Sequence, residues 1–195
     1  MKGLNFKSVV AAALLILGLP SSLSHAVAFC ALRDPIVTIR EFFPDYTSYK
    51  THQRKVTAED KKIMRANYPQ LHDAETGFHT LYAVYGSKAL LGYVVAGQGK
   101  GRFGLNTIAW KLNVTGELQG LSYIRNRGRR LSVQEQADLV ELVVDSAPSK
   151  LQVSLQGLEQ ESVNIETVSV IQSALRMQLL IQQLWGDLLE PRKNE

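Results

Sequence analysis

Two short stretches carry residue types at a spacing that chemistry could use. In Gly97-Gln98-Gly99-Lys100-Gly101-Arg102-Phe103-Gly104, glycines alternate with other residues and stand beside two cations. Glycine permits positive φ and lets backbone N–H groups approach a flat ligand or a phosphate closely. A bulged hairpin would use the same glycines with no ligand. The second stretch, Arg125-Asn126-Arg127-Gly128-Arg129-Arg130, could hold phosphate, an acidic partner or phospholipid headgroups, or could be a solvated basic turn. His72 and His79, with Asp73 and Glu75 between them, follow no compact metal-ligand spacing, and His52 stands apart. The chain has no Gly-x-Ser-x-Gly elbow, phosphate-binding Walker loop or His-Glu-x-x-His. Nothing local favours a hydrolytic triad.

Composition sets the limits on what these stretches can belong to. The 195 residues are 45% hydrophobic and 21% charged, the make-up of a globular domain and not of a disordered or low-complexity chain. The single cysteine, Cys30, excludes an internal disulfide framework, a Cys-x-x-Cys pair and an all-cysteine metal site within one chain. Lys2 and Lys7 precede the apolar run Val9 to Leu19, then Pro20, Ser21, Ser22 and small residues, the pattern of a secretory signal peptide over residues 1–28. Cleavage after Ala26 or Ala28 would start the mature chain at Val27 or Phe29. Phe29 stands where a lipoprotein signal needs a small residue before Cys30. The formal charge of +4 includes Lys2 and Lys7, so removing the leader leaves about +2. A charge that small in an exported protein argues against nucleic acid as partner.

Residues 29–195 read as one domain that must position both stretches. Asp34-Pro35 opens a short helix over 35–43 ending before Pro44, and Thr57 with Glu59 and Asp60 opens another that closes by Pro69. Residues 46–56 read as a polar strand or extended segment. Four strands follow at 78–85, 89–96, 103–113 and 118–124, and the short turns between them make an antiparallel meander. The glycine-rich stretch joins the second and third of these, so it is not the strand-to-helix fingerprint of a dinucleotide site. Ser132 and Glu135 form a capping box for a helix to about Val144, and Pro148 ends that section. A long helix over 167–189 carries an apolar face, with Gln172, Arg176, Gln178, Gln182 and Gln183 marking it as a cover for the sheet and not a membrane span. The fold class is α+β, an antiparallel sheet meander packed by helices.

On these residues the chain resembles a known family. Leu90-Leu91-Gly92-Tyr93-Val94-Val95, then Gly99-x-Gly101-x-x-Gly104-Leu105-x-x-Ile108, a Thr-Gly-Glu turn, and Leu118-x-Gly120-Leu121-Ser122-Tyr123 look like the periplasmic FMN-binding domain of ion-translocating electron-transfer complexes. The likeness covers roughly residues 78–185. In that family the last Thr of a Ser-Gly-Ala-Thr segment is joined to FMN phosphate by a flavin transferase. The matching segment is Glu166-Thr167-Val168-Ser169, with Ser169 at the acceptor position and Glu166, Thr167 and Val168 replacing Ser, Gly and Ala. The family's Glu-Thr-Pro-Gly turn is replaced by the arginine stretch.

The resemblance implies FMN, held covalently at Ser169 or non-covalently, with Thr167, Gly101, Arg102, Gly104 and Arg127 as cofactor-binding residues. Trp110, Tyr93 or Tyr123 could stack on the ring, and Arg102 or Arg127 could stabilise a reduced anionic flavin. The function implied is electron transfer in the periplasm with a membrane or periplasmic redox protein as partner, an electron-transfer flavoprotein rather than a hydrolase. The alternative is a flavin-free, degenerate domain that serves as a periplasmic interaction or assembly module and docks through the basic loop.

Overall fold

The computed structural model describes residues 34–67, 77–129, 131–144, 146–160 and 165–189. The expected leader, Cys30, His72 and Arg130 lie outside them. In chain order the elements are α1 (Pro35–Phe42), β1 (Ser48–Lys55), α2 (Ala58–Asn67), β2 (Phe78–Tyr85), β3 (Leu90–Gly101), β4 (Gly104–Leu112), β5 (Leu118–Arg125), α3 (Val133–Val143), α4 (Pro148–Gln160) and α5 (Ile165–Trp185). The five strands form one antiparallel sheet in the order β1-β2-β3-β4-β5. The α+β meander expected from the turns is therefore the architecture, with the polar segment at 48–55 paired as its first edge strand. Exposed polar and basic side chains along β1 protect that edge from pairing with other chains.

Local chemistry starts the helices where the sequence marks them. The Asp34 side chain accepts a hydrogen bond from the Ile36 N–H, with Pro35 in the first turn. Thr57 and Asp60 satisfy each other's free N–H groups at the start of α2, and Ser132 and Glu135 do so at α3. Pro148 does the opposite of what its sequence context suggests. It begins α4, because proline at the first helical position loses no hydrogen bond that the helix would have made.

The two faces of the sheet are covered unequally. On one, Leu81, Tyr93, Val95, Ile108, Trp110, Leu112 and Leu118 pack against α5, which α2, α3 and α4 buttress from behind. On the other, α1 supplies Ile39 to a smaller cluster with Phe43, Val84, Val94 and Ala109. Arg54 on β1 ties down the end of α5, donating to the Leu184 carbonyl and to both carboxylate oxygens of Asp187. Among the described residues no helix is long and apolar enough to cross a membrane.

Candidate functional site

The glycine-rich stretch does not bend away from the sheet after Ala96. It continues as β3 through Gly101, paired residue by residue with β4, and only Arg102 and Phe103 form the turn. The reason lies in α5. A Cβ on Gly99 would lie within 3.0 Å of both the carbonyl oxygen and the hydroxyl of Ser169. One on Gly97 would meet Met177 Cγ at 2.8 Å and Ser173 Oγ at 2.9 Å. Ser169, Ser173 and Met177 recur at one helical turn, and Gly97 and Gly99 recur at the two-residue period of one strand face. The alternating glycines are thus a seat that lets α5 lie close on β3. Two side-chain bonds fasten it there: Trp110 Nε1 donates to Ser173 Oγ (3.1 Å), and Arg176 Nη1 donates to the Gln98 carbonyl (2.9 Å).

Beside this seat a polar cluster gathers around Asn106, which faces Gly99 across the strand pair. Its Nδ2 donates to Ser169 Oγ at 3.3 Å and its Oδ1 accepts from the Arg127 N–H at 2.6 Å. Gly101 leaves the room this amide needs, since a Cβ there would lie 2.7 Å from Asn106 Nδ2. The buried Glu166 carboxylate, in the first turn of α5, accepts from the Arg129 N–H at 2.8 Å. A Cβ on Gly128 would lie 2.6 Å from the same carboxylate oxygen. The Phe103 N–H closes the arrangement by donating to the Arg127 carbonyl at 2.7 Å. The arginine stretch is therefore strapped across the β3–β4 hairpin and the start of α5 by its backbone. Its side chains are left to project: Arg125 and Arg127 are exposed, and Arg129 pairs with Glu135 at 2.6 Å.

The expected cofactor residues fall into three environments. Ser169 is fully buried one turn into α5, with its hydroxyl held by Asn106 against β3, so a transferase would not meet it at the surface. Thr167 is half-buried on the same helix. Gly101 and Gly104 shape the hairpin, Gly104 with a φ of 134° that only glycine adopts without strain. Arg102 is exposed, its guanidinium 5.7 Å from the Phe103 ring, and the Arg127 side chain is exposed above Gly104. Asn106 brings Gly101, Arg127 and Ser169 together, while Arg102 points outward at the tip. A phosphate bonded at Ser169 does not fit these residues. The hydroxyl is sealed, and the Glu166 carboxylate already occupies the anion-favouring first turn of the helix.

Of the three aromatic candidates, Trp110 and Tyr93 are core residues, the Tyr93 hydroxyl donating to the Leu188 carbonyl at 2.7 Å. Tyr123 differs. It lines an open groove of about 430 Å³ with Ser122, Asn126, Gly128 and Gln136, a volume in the range of small-molecule sites. Burial, with help from the Glu166 charge, pushes its phenol up to about 12, and among the described residues its hydroxyl has no hydrogen-bond partner. Glu135, in the first turn of α3, is held down at about 2 by the Arg129 guanidinium and by the Ser132 N–H and hydroxyl.

No protein-family model matches the chain, and no curated protein matches it either. Two residues of the cluster are not singled out as site residues by the sequence. Asn106 has one signal there, as the one amide in a strand otherwise rich in Ile, Trp and Leu, where a buried amide must be paired. Glu166 stands out only as a replacement, and nothing local announces that it turns inward to take the Arg129 N–H.

Proposed function

We propose that this chain is an FMN-binding-domain-like module of the bacterial envelope that carries no covalent flavin and acts by docking through its strapped arginine loop. One observation carries the reading. At the place where the resemblance would put a flavin phosphate, Glu166 supplies the negative charge itself, and Ser169 is packed into the core. A carboxylate that already accepts a backbone N–H at the helix start takes over the electrostatic role a phosphate would have there. What remains outward is basic: Arg125, Arg127 and Arg102 project from a backbone that cannot move independently of the hairpin.

The test is to express the chain with a flavin transferase in an exporting bacterium and weigh the product. The expected mass is that of the polypeptide alone. A mass gain of one FMN, lost on Ser169→Ala, would overturn the proposal.

A second reading is a non-covalent flavin in the groove that Tyr123 lines, favoured by its volume and by the exposed Arg125 and Arg127 on either side of Asn126. Titrating free FMN against the protein decides it. Saturable quenching that Arg127→Gln weakens would support flavin binding, and unchanged FMN fluorescence would remove it.

A further inference from the structure

The β3–β4 hairpin tip combines two properties that a protein surface seldom brings together. The Phe103 side chain is 72% exposed, Leu105 is 54% exposed and Ile124 is 40% exposed, and all three stand at one end of the sheet. Around them are the exposed cations Lys100, Arg102, Arg125 and Arg127. Lys100 is the cross-strand partner of Leu105, and the Phe103 N–H bonds the Arg127 carbonyl. The only acid between Gly97 and Leu131 is Glu117, in the β4–β5 turn at the far end of the strands.

We infer that this tip inserts Phe103 into the interface of an anionic lipid bilayer while the surrounding cations engage lipid headgroups. The inference rests on the reading of the arginine loop as a docking surface and names what it docks to. Three features favour a bilayer over an acidic protein. A two-residue turn is convex, and a fluid interface admits a protruding ring, whereas a protein partner must supply a matching pocket. Phe103 shares the turn with Arg102 and Leu105 stands level with Lys100, so apolar and cationic side chains reach the surface together, as both must to meet the acyl boundary and the phosphates of one headgroup layer. The tip is also held rigid: Gly101 and Gly104 pair directly, and the strap through Arg127, Asn106 and Ser169 ties the loop to α5. Ordering it on the membrane therefore costs little conformational entropy.

The experiment compares sedimentation of the full chain with phosphatidylcholine vesicles and with vesicles containing phosphatidylglycerol. All variants carry the same N-terminal segment, so differences between them report on the tip. The chain is expected to partition onto the anionic vesicles, with binding weakened by salt. Phe103→Ser should reduce partitioning at least tenfold, as expected for losing a buried aromatic ring. Arg127→Gln should reduce it about fivefold, the scale for one cation at an anionic surface. In Phe103→Trp, the added tryptophan emission should shift to the blue on adding anionic vesicles, while circular dichroism shows the fold of each variant intact. Equal partitioning of wild type and Phe103→Ser, or no blue shift at position 103, overturns membrane insertion. If an acidic protein competes for Arg127 while neither vesicle binds, docking stands and the bilayer is the wrong partner. A covalent flavin adduct would overturn the flavin-free reading and leave the vesicle result untouched.

Discussion

Replacing Gly99 with alanine distinguishes the two meanings that the glycine stretch could have. If the glycines seat α5, the added methyl must displace the helix, because the Ser169 carbonyl lies within 3.0 Å of where the Cβ would be and backbone cannot rotate aside. Withdrawing a packed surface by ~0.5–1 Å forfeits a quarter to a half of each contact's attraction along it. Overpacking of this kind costs ~1–3 kcal/mol, and a backbone obstacle places Gly99→Ala in the upper part, ~2–3 kcal/mol. For a chain of this size that is a fall in Tm of about 5–10 °C. Gly97→Ala should cost less, ~1 kcal/mol, because its obstacles are the Met177 and Ser173 side chains and methionine adapts readily. Adding Ser169→Ala to Gly99→Ala should not restore stability, since the carbonyl remains. Urea unfolding followed by circular dichroism measures all three. A Gly99→Ala protein as stable as wild type, or full rescue by Ser169→Ala, would refute the helix-seat argument and return the glycines to a ligand role.

Three further outcomes follow from the polar cluster and the helices. Asn106→Leu removes the partners of the Ser169 hydroxyl and the Arg127 N–H, and should cost ~1–3 kcal/mol while speeding amide exchange at Arg127 and Phe103. Unchanged exchange there would mean the strap does not depend on this amide. Glu135, lowered to about 2 by Arg129 and the Ser132 cap, stabilises the fold once pH exceeds its unfolded value of about 4.3, and that contribution is lost as pH falls toward 2. Carboxyl NMR titration should find its midpoint near the bottom of the range, and Glu135→Gln should flatten the acid limb of the stability profile. Gly157 sits in α4, and among the described residues nothing comes within 4 Å of where an added methyl would lie, so Gly157→Ala should stabilise by about 0.5–1 kcal/mol in the same urea assay.

Much of the framework follows from local signals. Short connections leave no room for a crossover and can join only antiparallel neighbours, so the meander β2 to β5 is legible from the turns alone. Capping side chains act within one turn, so Asp34, Thr57 with Asp60, and Ser132 with Glu135 announce their helices directly. Where two local meanings compete, the sequence is a poorer guide. Pro148 suits both the end of one helix and the start of the next, and α4 escapes a sequence reading because its few apolar residues, Leu151 and Leu155 among them, make a narrow stripe.

The site depended on what meets what across the chain. Alternating glycines mean a ligand cradle or a helix seat according to whether the space above them holds solvent or α5, and the residues that decide it, Ser169, Ser173 and Met177, are remote in sequence. Ser169 matches an acceptor by type and order, yet burial against β3 sets whether its hydroxyl can be reached. The arginine stretch is legible as basic from its composition. Only the hydrogen bonds it makes with Asn106, Glu166 and Phe103 make it a fixed surface, because backbone N–H and carbonyl groups find partners in three dimensions and carry no residue code.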